Sequence, residues 1–244
     1  MKLLIDSGNS RLKWALLDEH DQLSTFAIAN QTVTSTQLMS EWSVYSPPEQ
    51  VLISSVATNT LLFLLTEVVT QLWPNVQLSV VKSQAQAYGV SNAYEEANRL
   101  GVDRWLALIA AHHYYPSTCC VVDCGTAITI DVINADGTHQ GGLISPGLVL
   151  MKKALAQDTA SLPYDPTLFP VGLANTTGAG IYNGTLYAAI GLIERVLRQQ
   201  PSENQLIMTG GDAEQIAAQL NIPFILDANL VFKGLAVLAK QTGD

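Results

Sequence analysis

Leu4-Ile5-Asp6-Ser7-Gly8-Asn9-Ser10 and Val121-Val122-Asp123-Cys124-Gly125-Thr126-Ala127 are the two stretches that decide the fold. In each, an apolar run meets an aspartate, then a glycine two residues on, then a small polar residue. They stand 117 residues apart in a chain of 244, so one duplicated domain accounts for both. The alternation behind each predicts a hairpin, with Leu12, Trp14 and Leu16 matched to Thr129, Asp131 and Ile133. A D-x-G turn after one apolar strand is common; its recurrence at half-chain separation is what gives it weight.

Outward from these openings, strand, helix and strand alternate. Residues 51–57 read as a buried strand, 58–72 as an amphipathic helix stopped by Pro74, and 76–81 as another strand. Residues 99–115 form a helix ended by Pro116. Beyond the second opening come a Gly-rich strand over 139–145, a helix over 148–157 and a long helix over 178–199. A strand over 205–209, a helix over 213–220, a strand over 223–227 and a helix over 230–240 follow. This order is α/β. It divides into halves 1–117 and 118–244, and the absence of a low-complexity linker predicts close packing around an interdomain cleft.

Composition bounds the partners. Hydrophobic residues at 48% with charged residues at 14% suit a globular core. Against 12 basic residues stand 21 acidic ones, a net charge of −9 that repels phosphate backbones and anionic headgroups. No nucleic-acid or membrane partner is expected. The opening apolar run is too short for a signal-peptide core, and stretches such as 61–65 fall far below the ~18 residues of a span. A cytoplasmic protein is the expectation. Cys119, Cys120 and Cys124, odd in number and crowded together, read as buried thiols in a reducing compartment. A zinc site would need a fourth ligand, and the adjacent His112 and His113 point in different directions on a helix.

The paired turns suit phosphate: glycine lets backbone N–H groups approach an anion, and Asn9 or Thr126 adds neutral donors. Lys13 brings a positive charge to the first turn. Asp6 and Asp123 supply carboxylates for a cation, or cap their turns. Gly210-Gly211-Asp212 suits the adenosine end of a nucleotide, or is simply a tight connection. In Leu100-Gly101-Val102-Asp103-Arg104-Trp105, Asp103 reads either as a helix cap or as a proton acceptor beside a guanidinium that binds a carboxylate.

Together these residues resemble a known family. The segments Asp6 to Trp14, Gly101-Val102-Asp103-Arg104-Trp105, Val122 to Ala127, Gly141-Gly142-Leu143-Ile144-Ser145-Pro146-Gly147 and Asn175-Thr176-Thr177 are similar to type III pantothenate kinases in order and spacing. The resemblance covers essentially the whole chain and implies duplicated ribonuclease H-like domains of the actin-like ATPase and sugar-kinase superfamily. It implies ATP-dependent phosphorylation of pantothenate, the first step of coenzyme A biosynthesis, with Mg²⁺ and a monovalent cation, K⁺ or NH₄⁺. By motif position, Asp6, Gly8, Asn9, Ser10, Lys13 and Thr126 would bind ATP and Asp123 the monovalent cation. Tyr94, Gly101, Val102, Asp103, Arg104 and Thr177 would bind pantothenate, with Asp103 as general base and Thr176 as the alternative to Thr177. Ser10 stands where the family usually has Thr and keeps the hydroxyl. A homodimer is implied as well. Two other readings share the fold: a regulatory protein like the Bvg accessory factors, and another small-molecule kinase.

Overall fold

The computed structural model describes residues 1–159, 161–200 and 203–241. In chain order the elements begin with β1 (Lys2–Ser7), β2 (Arg11–Leu17), β3 (Leu23–Ala29), α1 (Ser35–Trp42), β4 (Gln50–Ser55), α2 (Asn59–Leu72) and β5 (Gln77–Val80). The short hairpin β6 (Gln86–Ala87) and β7 (Val90–Ser91) and the helix α3 (Val102–Tyr114) follow. The second series is β8 (Cys119–Cys124), β9 (Ala127–Ile133), β10 (His139–Pro146), α4 (Leu148–Asp158), α5 (Thr177–Leu197), β11 (Gln205–Thr209), α6 (Ala213–Ala217) and β12 (Ile225–Leu226). The helix α7 (Leu230–Gln241) completes the order.

Two five-stranded sheets result, ordered β3-β2-β1-β4-β5 and β10-β9-β8-β11-β12. In both, a three-stranded antiparallel meander continues through two parallel strands. The duplication read from two seven-residue segments therefore holds strand for strand.

One detail of that match is corrected. Ile5 pairs with Trp14 in the first hairpin, and Val122 pairs with Ile130 in the second. Trp14 therefore corresponds to Ile130, not to Asp131, because the second turn is one residue shorter. A slip of one residue moves a side chain to the opposite face. Asp131 accordingly lies away from Ile130 and meets buried His139, Nε2 to Oδ1 2.9 Å.

Residues 1–114, 136–138 and those from 229 onward form one compact unit; residues 115–135 and 139–228 form the other. The division at 117/118 puts α7 in the second half, yet α7 packs on α3, β1 and β4 within the first unit. Gly234 makes that approach close: a Cβ there would fall 2.2 Å from the Leu106 carbonyl oxygen. In the first unit, Leu3, Ile5 and Trp14 of the sheet bury against Leu38 and Trp42 of α1 and Leu65, Val68 and Val69 of α2. In the second, Val122 and Ile130 bury against Leu186 and Ile193 of α5 and Ile216 of α6. The helix α3 is apolar nearly all round and buried from Arg104 to Ala111, as such a pattern requires. No helix among the described residues is long and apolar enough to cross a membrane.

Candidate active site

In the first unit the strand β1 delivers Asp6, only 7% exposed, to the mouth of the β1–β2 turn. Ser54 Oγ of the neighbouring β4 donates to its Oδ1 at 3.4 Å. Lys13 lies directly across the ladder from Asp6, so a cation and a carboxylate flank one turn. The turn is closed by the Gly8 N–H donating to the Arg11 carbonyl at 3.1 Å, and it leaves Asn9 and Ser10 exposed.

Asn30 fixes that turn and was not legible in the sequence. Its Nδ2 donates to the carbonyls of Gly8 at 2.8 Å and Asn9 at 3.0 Å, and its backbone N–H to the Ser10 carbonyl at 3.0 Å. With the carbonyls tied back, the turn's shape is set by a residue from the far end of β3. Asn30→Ala removes two neutral hydrogen bonds, each contributing about 0.5–1.5 kcal/mol. The variant is expected to melt roughly 2–12 °C below wild type, which a thermal melting curve reads directly.

At the start of α3, Asp103 Oδ1 accepts the Arg104 backbone N–H at 2.8 Å, which fixes the carboxylate. The glycine of the G-x-D-R segment has a steric reason: a Cβ on Gly101 would lie 2.6 Å from that same oxygen. Arg104 is buried, yet its Nη1 donates to the Tyr94 hydroxyl at 2.7 Å and its guanidinium lies 5.5 Å from the Tyr94 ring centroid. Tyr94 in turn donates its backbone N–H to Asn92 Oδ1 at 3.0 Å. Tyr94, Gly101, Val102, Asp103 and Arg104 are thus brought together, and the guanidinium is held in one orientation before any ligand arrives.

In the second unit Asp123 is the last residue but one of β8, just before the Gly125-Thr126 turn. The Gly125 N–H donates to the Ala127 carbonyl at 3.0 Å, and the Gly147 N–H to the Thr126 carbonyl at 2.9 Å. The Gly210-Gly211-Asp212 turn packs against the same place, with the Asp212 N–H donating to the Cys124 carbonyl at 2.9 Å. Burial raises the pKa of Asp212 from its ordinary value, and Lys152 partly opposes the shift. Cys119, Cys120 and Cys124 are free and buried. Burial first, then Asp123 and Asp212, push the Cys124 thiol up to about 12, so it stays protonated and is no nucleophile.

Thr177 is the first residue of α5 and is exposed. Thr176 is the helix cap, its hydroxyl accepting the Ala179 N–H at 3.4 Å.

Among the described residues no three metal-ligating side chains cluster.

The family described as type III pantothenate kinase matches residues 2–199. A type III pantothenate kinase from Nitrosococcus oceani is 36% identical over 253 residues, covering 99% of this chain and 95% of its own. One from Herminiimonas arsenicoxydans is 38% identical, covering 99% and 98%. Among solved structures, a protein described as a Baf family transcriptional activator from Campylobacter jejuni superposes with a TM-score of 0.62 at 23% identity, covering 98% of both chains. The ADPNP-bound activator of 2-hydroxyisocaproyl-CoA dehydratase from Clostridium difficile does so with 0.57 at 9% identity, covering 99% of this chain and 94% of its own. These two likenesses concern the fold, which is that of the actin-like ATPases and sugar kinases. With the family matched over most of its length and relatives this similar end to end, the chain belongs to the type III pantothenate kinases.

Proposed function

We propose that this chain transfers the terminal phosphoryl group of ATP to the terminal hydroxyl of pantothenate, giving 4′-phosphopantothenate and ADP at the first step of coenzyme A biosynthesis. The observation that carries this reading, beside family membership, is the start of α3, where a fixed carboxylate and a buried, oriented guanidinium occupy successive residues. The hydroxyl oxygen attacks the terminal phosphorus, the bond to the ADP oxygen breaks, and the hydroxyl proton passes to Asp103. Arg104, braced by Tyr94, and the backbone of Gly101 and Val102 position pantothenate, whose carboxylate suits a guanidinium fork. Thr177 adds a hydroxyl from α5.

For the nucleotide, Asp6, Gly8, Asn9, Ser10, Lys13 and Thr126 supply the contacts. Mg²⁺ neutralises phosphate charge when bound, and Asp123 takes a K⁺ or NH₄⁺ ion. The work is cytoplasmic. ADP release, followed with and without pantothenate, tests the reaction: release independent of pantothenate would overturn it. In the same assay, exchanging K⁺ for tetramethylammonium in saturating Mg²⁺ is expected to abolish most turnover, and full activity would remove the monovalent site.

A homodimer completes this reading. The helix α5 leaves Gly180, Gly184 and Gly191 beside open space and Tyr187 exposed, a face that a second copy of the helix approaches closely. Thr177 then serves the pantothenate site of the partner. Mixing Asp103→Asn chains with Thr177→Tyr chains is expected to restore part of the lost activity, whereas an active monomer in sedimentation would exclude the arrangement.

A further inference from the structure

Lys152, on α4, is only 7% exposed, an uncommon state for a lysine without a paired anion. Among the described residues it makes no hydrogen bond or ion pair; its ammonium lies 5.8 Å from the Tyr182 ring centroid. The surroundings explain where such a charge would be used. The helix α4 starts at Gly147, which is bonded to the Thr126 carbonyl. The hydroxyl of Tyr182 accepts from Gln215 Nε2 at 3.1 Å, on the helix that follows the Gly210-Gly211-Asp212 turn. Lys152 acts electrostatically on Asp212 and on Asp165. Asp165 adjoins Gly178, where a Cβ would fall 3.0 Å from its Oδ2, one residue beyond Thr177. Through Tyr182, the start of α5 and the helix after the Gly210-Gly211-Asp212 turn thus both lie near one ammonium that holds no hydrogen-bonded anion among the described residues.

The second unit is poor in alternatives. Its basic residues are Lys152, Lys153, Arg195 and Arg198. Lys153 is exposed, and the two arginines sit exposed at the opposite end of α5, where Arg198 pairs with Glu194 at 2.8 Å. A chain of net charge −9 that handles a polyphosphate needs a placed cation on this side.

We propose that Lys152 binds the terminal phosphate of the nucleoside triphosphate. The proposal rests on the kinase reading above. An ammonium suits this work, being a compact charge that follows a phosphate as it transfers. The competing role is balance of the Asp212 and Asp165 charges alone.

Titration of wild type and Lys152→Met with MgATP, MgADP and AMP separates the two roles. ATP affinity is expected to fall about 10–100-fold, the loss of one charge-assisted contact, with AMP affinity unchanged and Lys152→Arg recovering most of the loss. Unchanged ATP affinity with a shifted melting temperature would overturn the proposal, as would an equal loss for AMP. Should Lys152→Met not fold, Lys152→Gln is read by the same three titrations. Wild type that releases no ADP on adding pantothenate would overturn the kinase reading instead, so the two failures are distinct.

Discussion

Asp103→Asn is expected to lower turnover about 10²–10⁴-fold while ATP binding stays near wild type, the signature of a lost general base. Asparagine keeps the shape of the side chain, and its Oδ1 can still accept the Arg104 N–H that fixes the carboxylate in the native site. What it lacks is the capacity to take the hydroxyl proton. Phosphoryl transfer otherwise asks the protein for positioning and charge, both of which survive in this variant. The opposite outcome is equally legible. Near-normal turnover with a lower melting temperature would make Asp103 a helix cap and nothing more, because loss of a cap costs about 1 kcal/mol and no chemistry. Rapid-quench and steady-state measurements on one preparation, with a melting curve, separate the two.

That the sequence already pointed to Asp103 has a physical reason. Gly101, Asp103 and Arg104 interact with one another and with the helix they start, so the whole device fits in four residues, and Tyr94 joins it from ten residues away. The β1–β2 and β8–β9 turns are similarly local. Asn30 is the contrary case: its hydrogen-bond partners lie 21 and 22 residues away, and nothing in its own neighbourhood marks it. The strand β3 that leads into it is largely exposed and lacks the two-residue alternation that betrays a half-buried strand. Trp14 and Asp131 stand at equal spacing in the sequence but not in the ladders, because the two turns differ by one residue, which only the registers reveal. The helix α7 was legible as a helix, but its membership of the first unit depends on its fit to α3 at Gly234, a contact 128 residues apart in sequence.

Gly210→Ala carries the second large expectation, because two independent penalties fall on one methyl group. Its φ of +95° is a conformation that residues with a side chain rarely adopt, and the added Cβ would lie 2.4 Å from Asp123 Oδ1 and 2.5 Å from the Cys124 carbonyl oxygen. The carboxylate can rotate away; the carbonyl belongs to β8 and moves only with the strand. Backbone strain of about 1–3 kcal/mol and overpacking of about 1–3 kcal/mol together predict a melting temperature lower by roughly 5–15 °C. The same displacement moves Asp123 and the Cys124 carbonyl that receives the Asp212 N–H, so the ATP KM is expected to rise with it. Gly211→Ala is the control, since its Cβ meets nothing within 4 Å and its φ is not in the left-handed range. It should melt as wild type, and a raised ATP KM in that variant alone would place the nucleotide against the turn. If Gly210→Ala melts and turns over like wild type, the strand end is free to relax and the turn does not hold Asp123 in place.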